Sequence, residues 1–256
     1  MNRRFIAGAV ALAVAGLGAI SVAYTQGASA ADFPEPTGEV RVIETTQVTG
    51  TFDGELQRFS GIGDGGQDEG QDAMFELADG ATLKNVILGS PAGDGVHCEG
   101  SCTLENVFWE DVGEDAATFL GDDSATYLVN GGGARGADDK VLQHNGGGTL
   151  TVRNFQVADF GKLYRSCGNC STQHPRTVIL ENITVTAPGG TLAGVNSNLG
   201  DVARFSDITI IGDEGRDISI CDRFEGNDTG DEPTKIGEGA DGVSCIFDDA
   251  DITYAS

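Results

Sequence analysis

The chain has 256 residues, and its 40 acidic residues against 15 Lys and Arg residues give a formal net charge of −25 at pH 7. This excess of negative charge argues against nucleic acid as a partner, because binding to phosphates relies on Lys and Arg. An anionic substrate remains compatible with the composition if a bound divalent cation reverses the charge locally.

The first thirty residues have the three parts of a secretory signal peptide. Arg3 and Arg4 form a positive segment, an apolar segment follows at 6–20, and Ala28-Ser29-Ala30 is an A-x-A cleavage site. A membrane anchor is the alternative, but the apolar segment is short for a transmembrane helix. We therefore predict removal of residues 1–30 and a secreted, extracellular mature chain, 31–256, that forms one domain without a membrane partner.

Short strand-like runs recur along the rest of the chain. Six of them begin at residues 82, 103, 125, 149, 177 and 203, which gives intervals of 21, 22, 24, 28 and 26 residues. Earlier runs at 40–48 and 51–59 fit the first coils or a cap, and a last run lies at 246–254. A β unit that recurs at this interval is typical of a solenoid, in which stacked units share one core. A β-sandwich would place strands about 8–12 residues apart. The sequence predicts an all-β parallel β-helix.

Two local patterns support this prediction. The repeated motif Thr-Leu/Val-x-Asn-Val suits a coil that turns at Asn between short strands. The Gly- and Asp-rich segment 59–72 contains a formal G-x-G-x-x-G match at Gly61, Gly63 and Gly66, but no βαβ pattern surrounds it. A dinucleotide-binding loop is therefore not expected.

Six cysteines follow the predicted signal peptide, and an even number in an exported chain indicates disulfides. We expect the local pairs Cys98–Cys102, Cys167–Cys170 and Cys221–Cys245. The alternative is a zinc site formed by the first four of these thiolates, which their spacing permits.

Acidic residues match the repeat interval near the centre of the chain. Asp94 precedes Glu114 and Asp115 by 20 and 21 residues. Positions one repeat apart stack on the same face of a solenoid, so these three carboxylates should meet on adjacent coils. Oxygen ligands of this kind suit Ca²⁺ better than a transition metal. A solvated acidic edge is the alternative interpretation.

Basic residues show the same register. Lys140 and Lys162 are 22 residues apart, and Arg165 follows three residues later. Ordinary surface charge is the alternative, although basic residues are scarce in this chain. The histidines, His97, His144 and His174, are too scattered for a zinc site, and His97 is expected to face the interior. No Ser/His/Asp constellation is present.

Residues 78–119, ADGATLKNVILGSPAGDGVHCEGSCTLENVFWEDVGEDAATF, and the later segment DDKVLQHNGGGTLTVRNFQVADFGKLYRSCGNC carry a family resemblance. With the upstream GDGGQDEGQDAMFEL, they resemble the pectate lyases of polysaccharide lyase family 3. The resemblance covers roughly residues 39–256. It implies a right-handed parallel β-helix that binds polygalacturonate, requires Ca²⁺ and cleaves by β-elimination to 4,5-unsaturated oligogalacturonates.

The resemblance also implies roles for individual residues. Asp94, Glu114 and Asp115 fall on the family's calcium ligands, and Lys140, Lys162 and Arg165 fall on its catalytic and substrate-carboxylate positions. Glu69 falls on a family acid near the cleft, where it would bind substrate. Leu120 departs from the pattern, because the family commonly has Lys there.

Elimination needs a base that removes the proton at C5 of a galacturonate, and Lys140 or Arg165 could serve. We favour Lys140 as the base, with Lys162 and Arg165 binding uronate carboxylates. A basic side chain accepts a proton only when unprotonated, so an alkaline optimum is expected. Two alternatives remain open on these residues: a non-catalytic pectin-binding module, and a β-helix polygalacturonan hydrolase that uses paired acids. We expect a monomer.

Overall fold

A computed structural model describes residues 33–68 and 70–256, and strands dominate them. The predicted signal peptide, Ala31, Asp32 and Glu69 lie outside these residues. In chain order the strands are β1 (Glu39–Arg41), β2 (Thr46–Val48), β3 (Thr51–Ser60), β4 (Phe75–Leu77), β5 (Ala81–Leu88), β6 (Val96–Cys98), β7 (Cys102–Trp109), β8 (Asp115–Phe119), β9 (Thr126–His144), β10 (Gly148–Ser166), β11 (Arg176–Asn196), β12 (Val202–Ile211), β13 (Ser219–Glu225), β14 (Thr234–Glu238), β15 (Cys245–Ile246) and β16 (Ile252–Ala255). The helical segments of the described residues are two 3-10 turns, Ser197–Leu199 and Asp249–Asp251. A helix with the length and hydropathy needed to span a bilayer is absent from residues 33–68 and 70–256.

The strands form two parallel ladders, so the predicted parallel β-helix is confirmed. One ladder runs β1-β3-β5-β7 and continues through the first halves of β9, β10 and β11 to β12. The other runs β2-β4-β6-β8, through the second halves of the same three long strands, to β13. We call this second ladder the site face. In β9, β10 and β11 one continuous strand serves both ladders, whereas the next turn uses two separate strands, β12 and β13.

Columns of apolar side chains fill the interior between the ladders. The register pairs Leu83 with Leu104, Leu104 with Val129, Val129 with Val152, and Val152 with Leu180. All five side chains are fully buried. Each turn thus completes the burial of the turn before it, which is why the sequence repeats the same apolar positions at one interval.

The predicted turns at asparagine are also confirmed. Asn85, Asn106, Asn154 and Asn182 have φ of 52°, 53°, 55° and 52°, in the left-handed region that Asn tolerates better than most residues. Their exposed amides are hydrogen-bonded in two pairs: Asn106 Nδ2 donates to Asn85 Oδ1 at 3.3 Å, and Asn182 Nδ2 donates to Asn154 Oδ1 at 2.8 Å. A left-handed residue at each corner lets the chain change direction within a single residue.

All three predicted disulfides are present: Cys98–Cys102, Cys167–Cys170 and Cys221–Cys245. No cysteine in the described part of the chain is free. The alternative four-thiolate zinc site is therefore wrong, because its sulfurs are consumed in pairs.

The segment before β1 packs against the middle of the molecule. The ring of Phe33 lies 5.3 Å from that of Phe108 in β7, and Arg135 Cζ lies 4.6 Å from the centre of the Phe33 ring. Gly133 in β9 provides the space, because a Cβ there would come within 3.0 Å of the Phe33 ring. This N-terminal arm joins the start of the described chain to turns that lie several strands away.

The C-terminal region departs from the regular repeat. The predicted strand run at 246–254 is divided into β15, a 3-10 turn and β16, and β14 pairs with β13 in antiparallel orientation. The segment between β12 and β15 therefore adds an irregular extension, and the Cys221–Cys245 disulfide ties it to the last turn.

The buried imidazole of His144 gives a prediction about acid stability. It is fully buried, its Nε2 donates to Gly147 O at 3.0 Å, and its Nδ1 accepts from the Tyr164 hydroxyl at 3.0 Å. Burial lowers the pKa of His144 to about 3, with the positive charge of Arg176 acting in the same direction and the hydrogen bond to Gly147 opposing it. An unfolded His has a pKa of about 6.5. Between these values the unfolded state binds a proton that the folded state does not.

The free energy of unfolding should therefore fall as the pH drops from 6.5 toward 3, by up to about 1.4 kcal/mol per pH unit from this group. Urea unfolding of wild type and His144→Gln at pH 7.5, 6, 5 and 4 measures this contribution as the difference between the two slopes. The Gln side chain can still donate to Gly147 but cannot bind the proton. Parallel slopes for the two proteins would contradict the assignment.

Candidate active site

A cleft of about 590 Å³ opens over the centre of the site face. Its walls include every predicted site residue that the structure describes: Asp94, Glu114, Asp115, Lys140, Lys162 and Arg165. Glu69, the remaining predicted site residue, lies outside the described residues.

The strand register determines the order of charges along the cleft. Asp115 in β8 pairs with Lys140 in β9, which pairs with Lys162 in β10. In a parallel row beside them, Thr118 pairs with Gln143 and Gln143 with Arg165. Neighbouring strands lie about 4.8 Å apart, so acid, lysine and lysine follow one another along the solenoid axis. The matched register predicted for Lys140 and Lys162 is present as a direct strand pair.

The three acids form the end of the cleft nearest the N-terminus. Glu114 and Asp115 are buried, and the Asp94 side chain is 13% exposed. Asp94 Oδ2 is 2.7 Å from His97 Nε2, and the backbone N–H of Gln71 donates to Glu114 Oε2 at 3.4 Å. Asp94 and Asp115 each retain one buried Oδ1 that accepts no hydrogen bond from the described residues.

The pKa of Asp115 reflects this crowding. Burial raises it to about 8, against the attraction of Lys140 and with the charges of Asp94, Asp139 and Glu114 adding to the increase. An ionised Asp115 is therefore costly unless further positive charge is present. The cluster has the electrostatic character of a cation site.

The donor set fits a hard divalent cation in its chemistry. Ca²⁺ takes about six to eight oxygen ligands, and the two unsatisfied carboxylate oxygens of Asp94 and Asp115 are oxygens of this kind. Within residues 33–68 and 70–256, no three acidic, His or Cys side chains are already arranged to hold a metal ion by themselves. An ion here would thus take further oxygens from water or a bound ligand.

The two lysines share one carboxylate. Lys140 Nζ is 2.6 Å from Asp139 Oδ2 and 3.5 Å from Asp115 Oδ1, and Lys162 Nζ is 3.0 Å from Asp139 Oδ1. Although burial opposes the effect, hydrogen bonds from both lysines lower the pKa of Asp139. Lys140 is the more buried of the two, with 14% of its side chain exposed against 33% for Lys162.

Arg165 is buried beside the lysines. Its Nη1 donates to Asn196 Oδ1 at 3.1 Å and to Gly194 O at 3.4 Å, and its Cζ lies 4.1 Å from the centre of the Phe224 ring. Burial lowers the pKa of Arg165 to about 10, and the nearby Asp201 partly offsets this. The guanidinium therefore still carries its charge at pH 8.

One orientation predicted from sequence is wrong. His97 was expected to face the interior, but it lines the cleft and contacts Asp94. Val96 and Cys98 on either side are both fully buried. Successive side chains of a strand alternate between faces, so the residue between two inward ones must point outward.

Sequence reasoning also missed residues that line or support the cleft. Asp139 adjoins Lys140 in the sequence, and its position in the Asp-Asp-Lys run was the available signal. Phe224 and Asn196 belong to later strands, and nothing in their local sequence marks them as neighbours of Arg165.

Comparisons with known proteins agree on one family. A family model for pectate lyase matches residues 30–231. Probable pectate lyase E of Neosartorya fischeri is 49% identical over 215 residues, which cover 82% of each chain. Pectate lyase H of Emericella nidulans is 48% identical over 219 residues, with 84% of this chain and 82% of that one covered.

Solved structures are similar as well. The catalytic domain of pectate lyase PelI from Erwinia chrysanthemi superposes with a TM-score of 0.73 at 35% identity, covering 84% of this chain and 99% of that one. A second structure of PelI, in complex with tetragalacturonic acid, has the same TM-score and identity, covering 84% of this chain and 70% of that one.

Proposed function

The chain belongs to the pectate lyase family, and we propose that it is a secreted, calcium-dependent enzyme that cleaves polygalacturonate by β-elimination and leaves 4,5-unsaturated oligogalacturonates. The observation that carries this proposal is the single cleft in which an acidic cluster is followed by Lys140 and Lys162, with Arg165 beside them. An acidic end and a basic row suit a substrate whose carboxylates repeat along a polymer.

The acidic cluster supplies one half of the chemistry. Ca²⁺ held by Asp94, Glu114 and Asp115 would neutralise a uronate carboxylate and lower the cost of the negative charge that develops next to it when C5 loses its proton. The buried, unsatisfied oxygens of Asp94 and Asp115 support this assignment.

We assign the base to Lys140. Its Nζ lies 3.5 Å from Asp115 Oδ1. A uronate carboxylate held beside Asp115 would therefore bring the proton on the adjacent C5 close to Nζ. The proton moves to neutral Nζ, C4 and C5 become doubly bonded, the C4–O bond breaks, and the departing oxygen takes up a proton. Because only the neutral amine accepts a proton, activity should increase toward alkaline pH.

Lys162 and Arg165 are assigned to substrate carboxylates. A guanidinium whose pKa is about 10 stays charged under these conditions, and its planar fork matches a carboxylate in two hydrogen bonds. Glu69 stays a proposed substrate contact on the strength of the family resemblance alone.

Export and the state of assembly complete the proposal. Three disulfides are typical of an exported protein, and a net charge of −25 does not suit nucleic acid. The cleft is formed within one chain, in keeping with a monomer.

Ultraviolet absorbance of polygalacturonate incubated with the purified protein tests the activity and the metal requirement together. Elimination leaves a C4–C5 double bond conjugated to the carboxylate, so absorbance should increase with Ca²⁺ and stop on addition of a chelator. New reducing ends without absorbance would indicate the hydrolase. Neither signal at alkaline pH with calcium would leave the pectin-binding module as the better assignment.

Leu120 gives a prediction about affinity for substrate. This residue lines the cleft, at the position where the family resemblance implies Lys. We expect Leu120→Lys to lower KM for polygalacturonate by about three- to tenfold at low salt, because a partly exposed cation near a substrate carboxylate contributes about 1 kcal/mol. Initial rates across substrate concentrations at low and high salt measure the effect. Leu120→Gln, which adds length without charge, is the matched control, and an equal decrease in KM for both variants would contradict the electrostatic explanation.

A further inference from the structure

We propose that Asn196 and Phe224 are positioning residues that fix the guanidinium of Arg165 for substrate binding, and this inference rests on the substrate-binding role proposed for Arg165. Neither residue is needed to bring Arg165 to the site face, since β10 does so. Their contribution is to determine where the flexible end of the side chain lies.

The strand register brings the three residues together. Arg165 in β10 pairs with Gly194 in β11, and two positions further along, Asn196 pairs with Phe224 in β13. Gly194 leaves room for the Arg165 side chain, since a Cβ there would come within 2.9 Å of Arg165 Cδ and 3.2 Å of the Phe224 ring. The arginine thus crosses over a glycine to reach its partners.

Asn196 is built into the interior rather than placed at the surface. It is fully buried, its Nδ2 donates to Cys167 O at 3.0 Å, and its backbone N–H donates to Asp201 Oδ2 at 2.9 Å. Its Oδ1 is therefore held in one place to accept from Arg165 Nη1 at 3.1 Å. A buried amide whose groups are all engaged has little freedom to move.

Phe224 covers the face of the guanidinium at 4.1 Å, and Gly168 leaves room beside Nη2, because a Cβ there would come within 2.5 Å of Arg165 Nη2. Among the described residues, the hydrogen bonds of the Arg165 side chain all leave from Nη1. The Nη2 and Nε donors remain for a carboxylate in the cleft. Asn196 thus holds the Nη1 edge of the guanidinium and Phe224 covers one face. The edge formed by Nη2 and Nε is left for the ligand.

The test compares kcat/KM for polygalacturonate in a set of matched variants. Phe224→Leu should lower kcat/KM by about fivefold to twentyfold, because a cation–π contact contributes about 1 to 2 kcal/mol. Phe224→Tyr retains the aromatic face and should keep most of the activity. Phe247→Leu, which removes another ring from the C-terminal turns, should behave as wild type. Asn196→Ala should lower kcat/KM by about 100-fold, and the melting temperature of this variant is measured to check that it folds.

A double-mutant cycle separates positioning from a general structural effect. In an Arg165→Ala background, Phe224→Leu and Asn196→Ala should each lower kcat/KM by less than about twofold, because the guanidinium that they position is absent. A full additional loss in that background would overturn the inference, as would equal losses for Phe224→Leu and Phe247→Leu. Should Arg165→Ala itself keep wild-type kcat/KM, the role proposed for Arg165 fails, and the positioning inference with it. Loss in Arg165→Ala with none in Phe224→Leu would overturn the positioning inference alone.

Discussion

Replacing Lys140 with alanine is expected to lower kcat by about a thousandfold, which makes it one of the two largest effects predicted for this chain. A positioned general base contributes about 10² to 10⁴ in rate, and Lys140 is the most buried lysine of the cleft and the closest to the acidic cluster. The measurement is the rate of double-bond formation at saturating polygalacturonate. Lys84→Ala is the matched control, because Lys84 also pairs with an aspartate, at 3.2 Å from Asp53, but on the other ladder.

Lys140→Arg distinguishes a base from a simple positive charge. The arginine keeps the charge beside Asp139 and Asp115, yet it does not release its proton in the working pH range. We therefore expect Lys140→Arg to be nearly as inactive as Lys140→Ala while still binding tetragalacturonate with calcium present. If Lys140→Arg retained more than a tenth of wild-type kcat, Lys140 would be a binding residue and the base would have to be sought elsewhere.

Asp115→Asn is expected to have the second large effect, on calcium and on stability together. Loss of one charged ligand should raise the calcium concentration needed for half-maximal activity by about 100-fold, since ligand charge sets affinity in such sites. The measurement is activity against buffered free calcium. Asp159→Asn is the control, because this exposed residue has φ of 52°, a conformation that Asn also adopts.

The same variant should be more stable than wild type when calcium is removed. Burial raises the pKa of Asp115 to about 8, so the folded state holds a proton that the unfolded state, with a pKa near 3.8, has lost. The stability that this group contributes is greatest below pH 3.8, falls as the pH rises from 3.8 to about 8, and is fully lost above pH 8. Asn cannot ionise, so Asp115→Asn avoids the free-energy cost of a buried negative charge.

In chelator at pH 8.5 we therefore expect a melting temperature several degrees higher for Asp115→Asn. A stabilising shift on adding calcium should be large in wild type and small in the variant. An equal calcium shift in both proteins would contradict the placement of the ion at Asp115.

Much of the site could be predicted because residues that are one repeat interval apart stack on the same face of the solenoid. A left-handed residue recurs at the corner of successive turns, as Asn106 in β7, Gly131 in β9 and Asn154 in β10. An offset of 22 between Lys140 and Lys162 therefore becomes a strand pair, and an offset of 21 brings Asp94 to the turn beside Asp115. These predictions needed only an interval of 21 to 24 residues in the central turns and the rule that stacked turns share a face. Successive side chains of a strand point to opposite faces, and this rule applied to Val96, His97 and Cys98 would have placed His97 in the cleft.

The parts that sequence reasoning missed lie where the interval is no longer constant. Phe224 reaches Arg165 from 59 residues later in the chain, beyond turns of 28 and 26 residues and within an irregular extension. Without a regular interval there is no register to count, and a phenylalanine carries no chemical signature of its own. Asn196 likewise acts through a buried hydrogen bond to Arg165, which only the folded register reveals.

The N-terminal arm has a consequence for how the molecule unfolds. In a solenoid each turn is coupled mainly to its nearest neighbours, so the terminal turns can fray while the rest stays intact. Phe33, held between Phe108 and Arg135, bypasses the first turns and ties the beginning of the described chain to β7 and β9. Opening of the first turns then costs contacts in the middle as well. The turns that carry the acids and lysines should therefore melt in one cooperative transition rather than peel away from the N-terminal end.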